Sequence, residues 1–223
     1  MSNPDLSISS YIGTDESGKG DYFGPLVIGA VCVTEQNREK LISLDVKDSK
    51  KTTDKKARRI AESLHANIPC TVVAIGSEKY NELYSKIRNL NRLLAWGHAR
   101  VIENLLDKCE VDIAVTDQFG DPKYVESALM KKGREIKLIQ ETKAEKHIGV
   151  AAASIIARAK FLEYLDRYSS QHDMTFPKGA GPNVDQAGAD FCRRYGYDNL
   201  SKVAKIHFKN SRKIDELLSR NPG

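Results

Sequence analysis

The sequence has little cysteine, no long apolar run and no segment of biased composition, and each shortage excludes a class of protein. Its 4 cysteines, Cys32, Cys70, Cys109 and Cys192, lie far apart with no Cys-x-x-Cys pair. That leaves neither a zinc ribbon nor a disulfide framework, and the four read as reduced core thiols. No stretch reaches the roughly 18 apolar residues that a membrane-spanning helix requires. The opening "MSNPDLSISS" lacks the basic and apolar regions of a signal peptide, so a cytoplasmic protein without membrane attachment is expected. No repeat, low-complexity tract or Pro/Gly/Ser-rich linker divides the chain. At 223 residues it can bury one substantial core. A single domain over residues 1–223 is expected, with 1–10 a short lead and about 200–223 a C-terminal extension.

What is present is ordinary globular composition: 40% hydrophobic and 29% charged residues, which argues against disorder. The 35 basic and 30 acidic residues leave a net charge of +5, a tilt that suits either a polyanionic partner or a well-solvated mixed surface. Distribution says more than the total. Basic residues gather at 47–59, 131–137 and 205–213, each able to flank a groove.

Periodicity supplies the framework. "SISSYIGTD" and "GPLVIGAVCVT" are β-rich runs joined by a short glycine-containing loop, which suits an antiparallel hairpin and is too short for a crossover helix. Residues 52–66 read as a charged helix capped by Thr52 or Thr53, and 69–76 as a short buried strand. Leu90, Leu93, Leu94, Val101, Ile102, Leu105 and Leu106 make one helical face. In "VDIAVTD", Val111, Ile113 and Val115 alternate, so Asp117 falls in phase with them at the strand's carboxyl end. "PKYVESALMKKG" reads as a helix closed by Gly133, "REIKLIQ" as a strand, and "IGVAAASIIARAKFLEYLDRY" as a long helix. The expected fold is α/β, a mixed sheet beginning with an antiparallel hairpin and flanked by helices.

"GTDESGKGD" (13–21) nearly spells a phosphate-binding P-loop, since Gly13, Gly18 and Lys19 fit G-x-x-x-x-G-K-[ST]. Gly20 replaces the hydroxyl residue that would hold magnesium. A P-loop also aims the N-terminus of the following helix at phosphate, whereas "DYFGPLVIGAVCV" follows here and reads as a strand. Asp15 and Glu16 inside such a cradle would repel phosphate oxygens. The carboxylates themselves need compensation by a cation or by donors. For neighbouring side chains on a strand to converge, the strand is expected to break at Asp15–Glu16, with Gly18 and Gly20 permitting the break. An Asp-Glu pair at a strand end is also common as a solvated turn. Asp117 on a second strand end, and Glu145 before an apolar helix, favour a hard cation such as magnesium held by oxygen ligands. Glu145 alternatively serves as a first-turn acid on the helix dipole. Two such ions suit phosphodiester hydrolysis.

With these motifs in place, the sequence resembles the type 2 ribonuclease H family, and its ribonuclease HIII branch in particular. The resemblance rests on "GTDESGKGDYFGPLV", "DSKK", "NLNRLLAWGHA", "VTDQF", "TKAEKHIGVAAASIIAR" and "VAKIHFKN", in family order from about residue 11 to 212. It implies an RNase H-like fold and metal-dependent endonucleolytic cutting of the RNA strand of RNA–DNA hybrids, leaving 5′-phosphate and 3′-hydroxyl ends. The four active-site and metal-binding acids it implies are Asp15, Glu16, Asp117 and Glu145. Glu141 is the nearby alternative to the last, and Asp15 the candidate for bridging two ions. The implied cofactor is Mg²⁺ or Mn²⁺, two ions with substrate bound. The implied partner is the hybrid alone, with no obligate protein partner and a monomeric chain.

Gly18, Lys19 and Gly20 resemble the family element that reads the 2′-hydroxyl and backbone near the cut, the 2′-hydroxyl being what separates RNA from DNA. Ser49 and Lys50 resemble phosphate contacts. Lys143 is a further substrate-binding candidate, with His147 and Lys178 as weaker ones that equally suit ordinary solvation. Ribonuclease HII carries Arg where Lys19 stands and pairs that module with a tyrosine. No equivalent tyrosine is placed here, so cutting at a single embedded ribonucleotide is not implied. Ribonucleases HIII usually carry an N-terminal substrate-binding domain, whereas about ten residues precede the first strand expected here; either the lineage lacks that domain or the chain was trimmed. Its absence would weaken the grip on hybrid and leave the basic surface, with residues 202–213, to supply it.

Overall fold

The structure is a computed structural model that describes residues 8–46 and 52–220. Ser49 and Lys50 lie outside the described residues. Five strands make one sheet in the order β3-β2-β1-β4-β5. They are β1 (Tyr11–Ser17), β2 (Leu26–Val33), β3 (Cys70–Ile75), β4 (Ile113–Asp117) and β5 (Lys137–Glu141). β1 pairs antiparallel with β2 from Tyr11↔Val33 to Ser17↔Val27. It also pairs parallel with β4, which in turn pairs parallel with β5. The sheet is therefore mixed and opens with a hairpin, and the fold is α/β.

The helices are α1 (Glu35–Ser43), α2 (Asp54–Asn67), α3 (Ser77–Ile87), α4 (Leu90–Leu106), α5 (Lys123–Ala128), α6 (Ile148–His172), α7 (Pro182–Tyr195), α8 (Leu200–Val203) and α9 (Lys209–Arg220). Among the described residues none is long and apolar enough to cross a membrane. Two compact units are gathered from interleaved segments. One is Met1–Ser17, Val27–Val73 and Asn89–Lys160; the other is Gly18–Leu26, Ala74–Arg88 and Phe161–Gly223.

In the first unit the central strands are apolar on both faces because helices cover both, so β2 is buried throughout. The core joins Tyr11, Val31 and Val33 to Ile60 and Leu64 of α2 and to Ile148 and Ile156 of α6. α2 starts at Thr53, whose side chain accepts from Lys56 N at 3.2 Å, and buries Ala57, Ile60, Ala61 and Leu64. α4 buries Leu94, His98, Val101 and Leu105 on one stripe.

Three sequence expectations change. β3 is mostly half-buried rather than buried, because it is the sheet's edge. α5 ends at Ala128 and is not closed by Gly133. The Glu103 carboxylate instead takes the Lys132 and Gly133 backbone N–H groups at 3.0 and 2.9 Å and turns the segment away from helix. Finally, β1 does not break at Asp15–Glu16 but stays paired with β2 through Ser17. The break comes at Gly18, whose φ is +84°.

In the second unit an aromatic cluster forms the core. The Phe23 ring stacks edge-on against Tyr22 and Phe176, both at 5.0 Å. Gly188 of α7 lets Ile214 of α9 pack against the helix, since a Cβ there would lie 2.2 Å from Ile214 Cδ1.

Candidate active site

The acids of the first unit are placed by strand register. Thr14 pairs with Thr116 across β1 and β4, and one residue further on each strand stand Asp15 and Asp117. Glu141 faces Asp117 in turn across β4 and β5. Parallel strands in register send paired side chains to the same face, so Asp15, Asp117 and Glu141 form a row at the carboxyl ends of three strands.

On that face the amino-terminal part of α6 lies close to the sheet. A Cβ on Gly13 would sit 2.2 Å from Gly149 C, and one on Gly29 would sit 2.6 Å from Ala153 O. The Tyr11 hydroxyl accepts from Gly149 N at 3.0 Å. This approach brings Ser154 of α6 to Asp15, where its hydroxyl bonds the carboxylate. It also brings the short 3-10 turn Ala144–Lys146, which carries Glu145, to the end of β4. Ala144 N donates to Asp117 Oδ1 at 3.0 Å.

Glu16 points to the opposite face with Thr14, as strand alternation requires. There it meets His98 of α4, which is fully buried. His98 Nδ1 lies 2.8 Å from Thr14 Oγ1 and 3.2 Å from Thr116 Oγ1, tying the two strands together. Its Nε2 stands 3.4 Å from Glu16 Oε2, an ion-pair distance rather than an aligned hydrogen bond.

Burial, then the adjacent Glu16 charge, push the Asp15 carboxyl up to about 7, and Asp117 adds to the rise. Bonds from Ser154 and from Glu16 N, the latter 2.8 Å, only partly offset it. Glu141 differs. Burial works against its ionisation, but Lys146, at 2.6 Å, and His147 outweigh that and hold it below the usual carboxylate range. Its oxygens are engaged by those two side chains. Glu145 is partly buried on the turn above.

The donors are all carboxylate oxygens, the set that hard divalent cations take. Asp15, buried beside Glu16 and in reach of the Asp117 charge, is a carboxylate that a cation would relieve, so the residues present fit such an ion. Among the described residues no three His, Cys, Asp or Glu side chains already stand close enough to hold one. The acids stand at strand ends and on the turn after β5 rather than in a closed cage.

The other candidates lie as follows. Lys143 is exposed and left-handed at φ +59°, a backbone state that non-glycine residues seldom adopt outside functional or tightly constrained turns. His147 is 3% exposed and bonded to Glu141 through Nε2, which makes it an internal tether. In the second unit, Gly18 needs to be glycine for the fold itself, because a Cβ would lie 2.2 Å from Pro25 O. Gly20 does not, since nothing lies within 4 Å of its Cβ position. Lys19 is partly buried, and Lys178 is exposed beside Gly179, which has φ +84°. There is no helix after the glycines to serve a P-loop, because the chain runs directly into β2.

Sequence reasoning missed His98 and Ser154. The available signal for His98 was a polar residue in phase with Leu94, Val101 and Leu105 on an apolar stripe.

A mixed sheet in this order, with acids at the ends of the central β1 and its parallel neighbours and α6 laid across them, defines a ribonuclease H-like nuclease. The sequence model of the family described as Ribonuclease HII matches residues 12–211. A ribonuclease HIII of Chlamydia pneumoniae is 44% identical over 211 residues, covering 93% of this chain and 70% of that protein. One of Protochlamydia amoebophila is 40% identical over 215 residues, with 96% and 70% coverage. Among solved structures, Bst-RNase HIII in complex with Mn²⁺ superposes with a TM-score of 0.89 at 35% identity, covering 95% of this chain and 71% of that one. Ribonuclease H2 of Pyrococcus horikoshii OT3 does so with a TM-score of 0.80 at 26% identity, covering 95% and 100%. The chain belongs to the ribonuclease HII family, on its ribonuclease HIII side, and is an endonuclease of the ribonuclease H kind.

Proposed function

We propose that the protein hydrolyses the RNA strand of RNA–DNA hybrids with Mg²⁺ or Mn²⁺, two ions in the presence of substrate, leaving 5′-phosphate and 3′-hydroxyl ends. The observation that carries this reading is the gathering of Asp15 and Asp117 at adjoining strand ends, with Asp15 pushed up by burial and then by the neighbouring Glu16 charge. The Mn²⁺ complex of the structural relative supports a divalent ion.

Asp15, Glu16, Asp117 and Glu145 would hold the ions. When bound, the ions supply a water acidic enough to attack at neutral pH and offset charge on the scissile phosphate and leaving oxygen. The protein's own groups do the positioning. Ala144 N fixes one Asp117 oxygen, Glu16 N and Ser154 fix Asp15, and His98 steadies Glu16. None of the acids is required to shuttle a proton. Gly18, Lys19 and Gly20 would read the 2′-hydroxyl and backbone. Gly20, which the fold itself does not require to be glycine, supports a ligand passing close to the main chain. Ser49, Lys50 and Lys143 would contact phosphates, and the chain would act as a single catalytic domain and a monomer.

Labelled RNA–DNA hybrid, RNA and DNA duplexes, and a duplex with one ribonucleotide, each incubated with Mg²⁺, Mn²⁺ or EDTA, test the proposal. Hybrid alone is expected to be cut, only with a divalent ion, with extendable 3′ ends. Asp15→Asn or Asp117→Asn should lower the rate more than about 100-fold, the several kcal/mol that metal catalysis supplies, with the circular dichroism spectrum unchanged. Near-normal cutting by either variant would sink the reading.

A further inference from the structure

Lys205 is the most deeply buried charged residue described, at 0% exposure. Its ammonium donates to two main-chain carbonyls, Asp21 O at 2.8 Å and Gly24 O at 2.7 Å. The third direction faces the Tyr80 ring, whose centroid is 5.6 Å from Nζ. Its own backbone N donates to Tyr22 O at 2.8 Å.

Those carbonyls belong to a loop poor in internal bonds. Between Gly18 and Gly24, both left-handed at φ +84° and +87°, the one internal backbone bond is Asp21 N to Gly18 O at 3.4 Å. The loop is instead fastened to other segments of the second unit. Gly24 N reaches Val203 O at 2.9 Å, Phe23 pairs with Ala204, and Tyr22 N reaches Gly179 O at 2.9 Å. Gly179 N returns a bond to Asp21 Oδ1 at 2.6 Å. Burying an ammonium is costly, and burial pushes Lys205 down to about 7, against the pull of Asp21. An apolar side chain of similar length would avoid that cost, take the ammonium from Asp21 O and leave Gly24 O only the Ser77 hydroxyl, which donates to it at 3.1 Å. The lysine is thus spent on the shape of the loop rather than on core packing.

We propose that Lys205 is a positioning residue for substrate selection, fastening the Gly18–Gly24 loop so that Lys19 and Gly20 meet the hybrid in one conformation. The inference rests on the reading of Gly18–Lys19–Gly20 as the hybrid-reading element. It takes the two carbonyls as the points of control and assigns Lys205 no contact with substrate.

Two measurements on Lys205→Met and Lys205→Gln test it. The first, amide hydrogen exchange on the free protein, needs no substrate: exchange at residues 20–24 should rise at least about tenfold in Lys205→Met, with β1 and β4 still protected. The second is steady-state cutting of hybrid with DNA duplex as competitor. KM should rise about tenfold with kcat within about twofold of wild type, and DNA duplex should compete more nearly on a par with hybrid, because uniform binding and discrimination are lost rather than chemistry. Lys205→Gln, which keeps an N–H donor, should recover part of both effects. Unchanged loop exchange, an unchanged KM, or a loss confined to kcat would overturn the proposal. Should Lys205→Met not fold, the same readings on Lys205→Gln decide. Failure of the wild type to cut hybrid would refute the proposed function instead, while the exchange result would still report whether Lys205 fastens the loop.

Discussion

Asp15 carries a clear signal at the scale of the single residue. Its carboxyl, ordinarily near 3.8, is raised to about 7 in the folded protein, first by burial and then by Glu16. A raised acid contributes stability that is present below its unfolded value and lost as pH climbs through the folded one, so ionised Asp15 is a burden above pH 7 in the absence of metal. Asp15→Asn should therefore raise the unfolding midpoint in EDTA at pH 8.5, with the gain shrinking toward pH 4. About 4 kcal/mol is the upper bound from the shift, and less is expected because solvent partly reaches the group. Thermal melts at the two pH values read this directly, and a variant less stable than wild type at pH 8.5 would contradict it. The same scale separates Glu145 from Glu141. Glu141 is held by Lys146 and His147, so Glu141→Gln should keep hybrid cutting within about tenfold, whereas Glu145→Gln should lose more than about 100-fold. The reverse order of rates would move the ligand to Glu141.

At the scale of elements, what decides the site is how tightly α6 lies on β1 and β2. Gly13, Gly29 and Gly149 have no room for a Cβ, the nearest atoms being at 2.2, 2.6 and 2.7 Å. For Gly13 and Gly29 those atoms are backbone and cannot step aside. Gly13→Ala should destabilise the protein by roughly 3 kcal/mol, the upper end of what overpacking costs, because the neighbour cannot move. It should also slow cutting, because Ser154 and Ala144 N, which set Asp15 and Asp117, follow α6 and the turn before it. Urea unfolding alongside hybrid cutting checks both effects, and a fully stable, fully active Gly13→Ala would show that the contact does not matter. Much of this level was legible in the sequence. The hairpin, the α4 stripe and Asp117 in phase with Val115 follow from periods of two and three to four residues. The regular course of β1 through Glu16 was not legible, because the sequence argument required the two acids to converge whereas the structure gives each a face of the sheet and its own support, Ser154 and His98. The early end of α5 was equally hidden, since it depends on a carboxylate 30 residues away in sequence taking Gly133 N.

At the scale of the whole molecule, charge poses the remaining problem: a polyanionic hybrid has to approach a row of carboxylates on a chain whose net charge is only +5. On the proposed reading, divalent ions would answer this locally and the basic segments at a distance, by replacing counterions along the phosphate backbone. These two contributions separate by experiment. With Ca²⁺ in place of a catalytic ion, the logarithm of the hybrid association constant should fall linearly with the logarithm of KCl concentration, losing about 0.9 in slope for each phosphate contact. Lys50→Ala, in the "DSKK" segment, should weaken binding and flatten that line by about one contact's worth, whereas Asp117→Asn should leave the slope unchanged and abolish the Ca²⁺ dependence of affinity. An unaltered slope in Lys50→Ala would remove Lys50 from the binding surface. A shallower slope in Asp117→Asn would mean that the acids act on the hybrid through long-range charge rather than through a bound ion.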